Sequence, residues 1–223
     1  ARRQRQMCIR DSCSIVPGLQ LAAPRDEATM REALRESVQV SDGPTVIRFP
    51  KGALPPEVPA IERRGRVDVL RRGATPEVLL VAVGSLVPMC LAVAERAADH
   101  GIDVTVVDPR WVMPVADELV ALAGEHRLVV TVEDGGRAGG VGTLLSQALQ
   151  DADVDVPVRT LGLPQQFFEH GSRGQVLADV GLTEQDVARR IVEWAARVAD
   201  RAATLTERAE VEGQQPEGAE GQQ

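Results

Sequence analysis

Leu128–Gly142, LVVTVEDGGRAGGVG, holds three kinds of sequence in one short stretch. Leu128–Val132 is apolar and rich in β-branched residues, as in a strand buried on both faces. The polarity switches at Glu133-Asp134, and glycines follow at 135, 136, 139, 140 and 142. Thr143–Gln150 (TLLSQALQ) then spaces its apolar residues as an amphipathic helix does. Strand, glycine turn and helix form the repeating unit of an open parallel sheet. The carboxyl end of such a strand is where ligands and partner surfaces gather.

The glycines allow two readings. A helix N-terminus behind glycines offers free N–H groups to a phosphate. The pattern G-x-G-x-x-G is incomplete, however, since position 145 is Leu, and no G-x-x-x-x-G-K-[ST] occurs. The turn is therefore read as one that lets another backbone approach closely, in preference to a dinucleotide site.

Outward from this unit, residues 66–199 form a full α/β series. Strands are expected at Val67–Leu70, Val78–Val83, Val104–Val107 and Val156–Leu161, with helices at Gly84–His100, Pro114–Gly124, Arg173–Val180 and Glu184–Ala199. Gly101 is placed as the left-handed residue that ends a helix, and Thr183 with Asp186 as a cap. Alternating strands and helices with short loops argue a mostly parallel sheet flanked by helices.

Upstream, Leu19–Ala23 and Thr45–Phe49 read as strands around a helix opened by Pro24-Arg25-Asp26-Glu27. Residues 14–52 are too few to close a core alone, so they read as the last strand-helix-strand of another domain. Residues 53–65, with prolines at 55, 56 and 59, read as a linker. Residues 1–13 share no pattern with the rest of the chain and are taken as foreign to the fold or disordered. Residues 200–223, polar and acidic, are expected to be a disordered tail.

Composition narrows the function. Aromatic residues are 2% of 223 and Tyr is absent, so the core is built from Val, Leu, Ala and Ile. A surface that stacks bases is excluded. The net charge of −8 opposes a phosphate-backbone partner, so no nucleic acid is expected. Cys8, Cys13 and Cys90 form no C-x-x-C pair and are odd in number, so neither a disulfide framework nor a zinc site is suggested, and a cytoplasmic setting is expected. No apolar run is long enough to span a membrane.

Several stretches together resemble the transketolase-type thiamine-diphosphate enzymes. They are PGLQLAAPRDE (17–27), TVIRFPKG (45–52), DVTVVDPRWVMP (103–114), VVTVEDG (129–135) and LGLPQQFFEHGSR (161–173). Within that family the likeness is to the branch that condenses pyruvate with glyceraldehyde 3-phosphate, releasing carbon dioxide, for isoprenoid and thiamine biosynthesis. The resemblance implies that residues 14–52 end a pyrimidine-binding domain and residues 66–199 form a transketolase C-terminal domain. It implies a homodimer using thiamine diphosphate and magnesium. The Gly-Asp-Gly motif that holds the diphosphate and metal is absent here, and the family's activating glutamate lies upstream of residue 14. The chain is thus expected to be a fragment, inactive alone, with no catalytic, cofactor-binding or metal-ligating residue of its own.

One site residue carries over by resemblance. The basic residue of the R-[YF]-P-[RK]-G motif binds the substrate phosphate in the family, and here it is Lys51. Arg48, in the same motif, falls on the other strand face and is read as structural. Glu133 and Asp134 are neighbours in a strand, point opposite ways and are not read as a catalytic pair. Asp108 is read as a cap or turn acid, Cys90 as core, and His170 as a loop residue, with reach to a partner or the cofactor domain as the lesser reading. The alternatives are a 2-oxo acid dehydrogenase β subunit or split transketolase half, each needing a partner chain, and a non-catalytic α/β binding or regulatory module.

Overall fold

The structure is a computed structural model that describes Cys13 and residues 15–53 and 55–213. The expectations for residues 1–12 and 214–223 lie outside the described residues. Among the described residues nine strands form two sheets. They are β1 (Gln20–Ala22), β2 (Thr45–Ile47), β3 (Glu62–Arg64), β4 (Val67–Arg71), β5 (Val78–Ala82), β6 (Val104–Asp108), β7 (Trp111–Met113), β8 (Leu128–Gly136) and β9 (Val158–Leu163). The helices are α1 (Glu27–Ser37), α2 (Val87–Ala98), α3 (Asp117–Gly124), α4 (Val141–Asp151), α5 (Arg173–Asp179) and α6 (Glu184–Gly213).

The larger sheet runs β3-β4-β6-β5-β8-β9. β6, β5, β8 and β9 are parallel, and β4 and β3 add antiparallel at one edge. Strand alternation divides the core. Val78, Leu80 and Ala82 face α2, α5 and α6, where Val93, Leu177 and Ile191 pack. Leu79 and Val81 face the other way, toward Leu119 and Leu122 of α3 and Leu145 and Leu149 of α4. β8 is buried along its whole length, as its run of β-branched residues requires. Gly101 has φ of 76°, and the Gly101 and Ile102 N–H groups donate to Ala98 and Ala97, closing α2 as expected.

The smaller sheet runs β2-β1-β7. β1 and β2 are parallel, but β7 comes from the stretch 66–199 and pairs antiparallel with β1. Leu21 and Ala23 join Val83, Val112 and Val141 in a shared core. Residues 15–52 are therefore joined to the stretch 66–199 by backbone pairing with β7 and by side chains.

Three details differ from the sequence reading. β3 lies inside the stretch read as a linker, where its Glu-Arg-Arg sequence gives no apolar signal. A charged, short edge strand of this kind also discourages further pairing. β7 is likewise too short to show a period. The helix α6 runs to Gly213, not Ala199. Ala, Glu and Arg dominate its last turns and favour helix beyond the last core contacts, at Ala195 and Val198.

Candidate functional site

The glycine turn brings α4 down onto β8. A Cβ on Gly142 would lie 2.4 Å from the Thr131 and Thr160 side chains, and one on Gly140 would lie 2.2 Å from the Gly136 carbonyl oxygen. Close approach is thus what these glycines supply. The Gly142 N–H donates to the Glu133 carboxylate at 3.2 Å. The chain's own acid occupies the helix N-terminus, the position a phosphate would need. Glu133 is a fully buried carboxyl group, on the opposite face of the strand from Asp134.

Asp134, on the other side of β8, gathers two distant segments. Its Oδ1 accepts from Arg48, which follows β2. Arg48 Nη2 also donates to the Asp134 carbonyl oxygen at 3.1 Å. The Asp134 Oδ2 accepts from Arg173 Nη2 at 2.9 Å, and the same nitrogen donates to Ser85 Oγ at 3.0 Å. Arg173 opens α5, which Ser172 caps. The stretches RFPKG, VEDG and HGSR therefore meet at one buried carboxylate. Spacing along the chain gives no hint of this meeting.

Lys51 stands three residues beyond Arg48 and is exposed, with Phe49, Gly52 and Ala53 exposed around it. Among the described residues it has no hydrogen bond or ion pair. His170 and Phe167 are exposed in the loop that Arg173 ends. His100 is exposed, whereas His126 is buried and its Nδ1 lies 2.7 Å from the Leu122 carbonyl oxygen. Burial lowers the His126 pKa below its usual value. Cys90 is fully buried, and burial pushes its thiol well above the ordinary range.

A second cluster fills the seam between α1 and the larger sheet. Arg25 Nη1 donates to Asp68 and to Asp108, each at 2.8 Å, and both acids are fully buried. Arg63 Nε donates to Asp68 at 2.6 Å. Asp108 also accepts the Arg110 N–H at 2.9 Å, the turn bond expected of it. Arg110 reaches Glu32 at 2.9 Å and Glu36 at 2.8 Å, and Trp111 donates to Glu36. Burial raises the Asp108 pKa to about 6, against the pull of Arg25. Hydrogen bonds from Arg63, and then Arg110, hold Glu32 down at about 2. Arg25 and Asp68 were missed in the sequence. The only signal was an acid in the buried run Val-Asp-Val-Leu.

Among the described residues no three His, Cys, Asp or Glu side chains are grouped to hold a metal ion. Both buried carboxylate clusters are matched by arginines, and the α4 N-terminus is filled by Glu133. Among the described residues no helix is long and apolar enough to cross a membrane.

Comparison with known proteins agrees with this geometry. Residues 65–187 match the family described as transketolase, C-terminal domain. The chain is 57% identical over 189 residues to 1-deoxy-D-xylulose-5-phosphate synthase of Mycobacterium avium, covering 82% of this chain and 30% of that protein. The same enzyme of Mycobacterium tuberculosis is 56% identical over 185 residues, covering 82% of this chain and 29% of that protein. The chain thus spans under a third of the length of the curated relatives it matches. Among solved structures, a split-gene transketolase, an inactive β4 tetramer, has a TM-score of 0.72 at 28% identity, covering 86% of this chain and 62% of that one. Transketolase of Campylobacter jejuni has the same fold, with a TM-score of 0.63 at 17% identity over 82% of this chain and 27% of that one.

Proposed function

This chain belongs to the transketolase C-terminal domain family, and we propose that it is the C-terminal part of a 1-deoxy-D-xylulose-5-phosphate synthase. The observation that carries this reading is the 57% identity to such synthases, against 28% to the split transketolase. On this reading residues 15–52 end the pyrimidine-binding domain. The complete enzyme is a cytoplasmic homodimer that condenses pyruvate with glyceraldehyde 3-phosphate and releases carbon dioxide. The remainder of the enzyme holds thiamine diphosphate and magnesium, and the cofactor stabilises the carbanion left by decarboxylation. This chain alone does not catalyse.

The chain's own part is substrate binding. Lys51 offers an exposed ammonium in the loop after Arg48. It takes the phosphate of glyceraldehyde 3-phosphate as a point charge, without the two-point grip of an arginine. Arg48 is committed to Asp134 and stays structural.

The test is kinetic and uses the complete enzyme. Lys51→Ala is expected to raise the KM for glyceraldehyde 3-phosphate about tenfold, the loss of roughly 1.4 kcal/mol of phosphate binding. The KM for unphosphorylated glyceraldehyde should not change. Equal KM values for the phosphorylated substrate in wild type and variant would remove Lys51 from the site. Use of a ketose phosphate donor in place of pyruvate would select the split-transketolase reading.

A further inference from the structure

We propose that Asp134 is a positioning residue for substrate phosphate: by clamping Arg48 it fixes the loop that carries Lys51. The proposal rests on the reading of Lys51 as the phosphate-binding residue. Its own basis is geometric. Asp134 is 3% exposed and lies 86 residues from Arg48 and 39 from Arg173 in the chain. Arg48 is held at three points, by the Asp134 carboxylate, by the Asp134 carbonyl oxygen at 3.1 Å, and through its own N–H to the Ala22 carbonyl at 2.8 Å. Lys51 comes three residues later, within about 11 Å of chain. Phe49 is 58% exposed, and residues 51–53 are also exposed. Arg48 is thus the nearest half-buried, multiply bonded anchor preceding the phosphate-binding residue.

The chemistry favours this role for an aspartate. A buried carboxylate between two guanidiniums has well-defined geometry, because each charged hydrogen bond is short and strong where water is scarce. An asparagine of the same shape keeps one acceptor oxygen but loses the charge. Arg173 would then compete with Arg48 for that oxygen, and the loop after Arg48 would sample more positions. The expected effect falls on the phosphorylated substrate, since Lys51 meets only that one.

The experiment is a double-mutant cycle in the complete enzyme, read as KM. Asp134→Asn should raise the KM for glyceraldehyde 3-phosphate about tenfold and that for pyruvate less than about twofold. Asp134→Asn combined with Lys51→Ala should be no worse than Lys51→Ala alone, because the aspartate acts through the lysine. If the two effects multiply, or if Asp134→Asn leaves the KM unchanged while Lys51→Ala raises it, the positioning role is wrong and the phosphate reading stands. If Lys51→Ala itself has no effect, the phosphate reading fails first. Should Asp134→Asn not fold, Arg48→Lys takes its place in the cycle. It keeps the charge but loses the two-point contact, and the same outcomes decide.

Discussion

At the scale of the residue, the seam cluster makes stability depend on pH in a specific way. The Asp108 carboxyl has an ordinary value of 3.8 and is raised to about 6 by burial, with the Asp68 carboxylate adding to the rise. The folded chain therefore holds a proton that the unfolded chain has lost between those two values. Stability falls as pH rises through that window, and the contribution is fully present below it and gone above it. Glu32 has the opposite sign. Its value drops from 4.5 to about 2, so its contribution is present above the ordinary value and is lost as pH falls toward the lower one. Asp108→Asn removes only the first effect. The stability of the variant relative to wild type should rise from about pH 4 to pH 6 and then stay level. Urea unfolding midpoints across that range measure it, and a level difference throughout would contradict the burial argument. The turn role of Asp108 was legible in the sequence, because an acid two residues before its N–H donor is a local pattern. Its partner Arg25 was not legible, since 83 residues separate them and no period links them.

At the scale of the element, β8 and α4 show how far a local pattern reaches. The apolar run, the polarity switch and the glycines signalled the strand, the turn and the close approach, because each is a property of neighbouring residues. What the glycines approach depends on β9, since Thr160 crowds Gly142 from the next strand. This sets the sign of a substitution. In an isolated helix Gly→Ala stabilises by about 1 kcal/mol. At Gly142 the added methyl would lie 2.4 Å from Thr131 and Thr160. Gly142→Ala is therefore expected to destabilise by about 1–3 kcal/mol, as overpacking does. Gly174, in α5, has nothing within 4 Å of its added Cβ. Gly174→Ala should stabilise by about 0.4–1 kcal/mol through the unfolded chain. Thermal unfolding of the two variants tests both signs, and a stabilising Gly142→Ala would show that α4 does not rest on β8. The elements that escaped the sequence, β3 and β7, are three residues each. A strand of that length shows barely one period, and β3 has no apolar residue to mark a face.

At the scale of the whole molecule, the prolines of residues 53–65 suggest a break, while the contacts join what lies on either side. Val58 is tied on both sides of its peptide, its carbonyl accepting from Arg25 at 2.9 Å and its N–H donating to Asp26 at 3.0 Å. β1 pairs with β7, and Leu21 packs with Val83, Val112 and Val141. The sequence signals the layers through periodicity but not this seam, because a seam is made by pairs that meet only after folding. The family match begins at residue 65, yet a chain cut there would carry a defect. Removing residues 1–52 takes away Arg25 and opens the seam, so that Asp108 loses its side-chain cation while Asp68 keeps Arg63. Breaking an ion pair from one side costs more than removing both partners, up to about 3–5 kcal/mol where the stranded charge stays out of water. The truncated chain is expected to unfold at markedly lower urea than the full chain. Adding Asp68→Asn and Asp108→Asn should recover part of that loss, because the stranded charges go while the exposed apolar edge of β7 remains. Full recovery would assign the seam to charge alone. No recovery would assign it to the β1–β7 pairing and the Leu21 core.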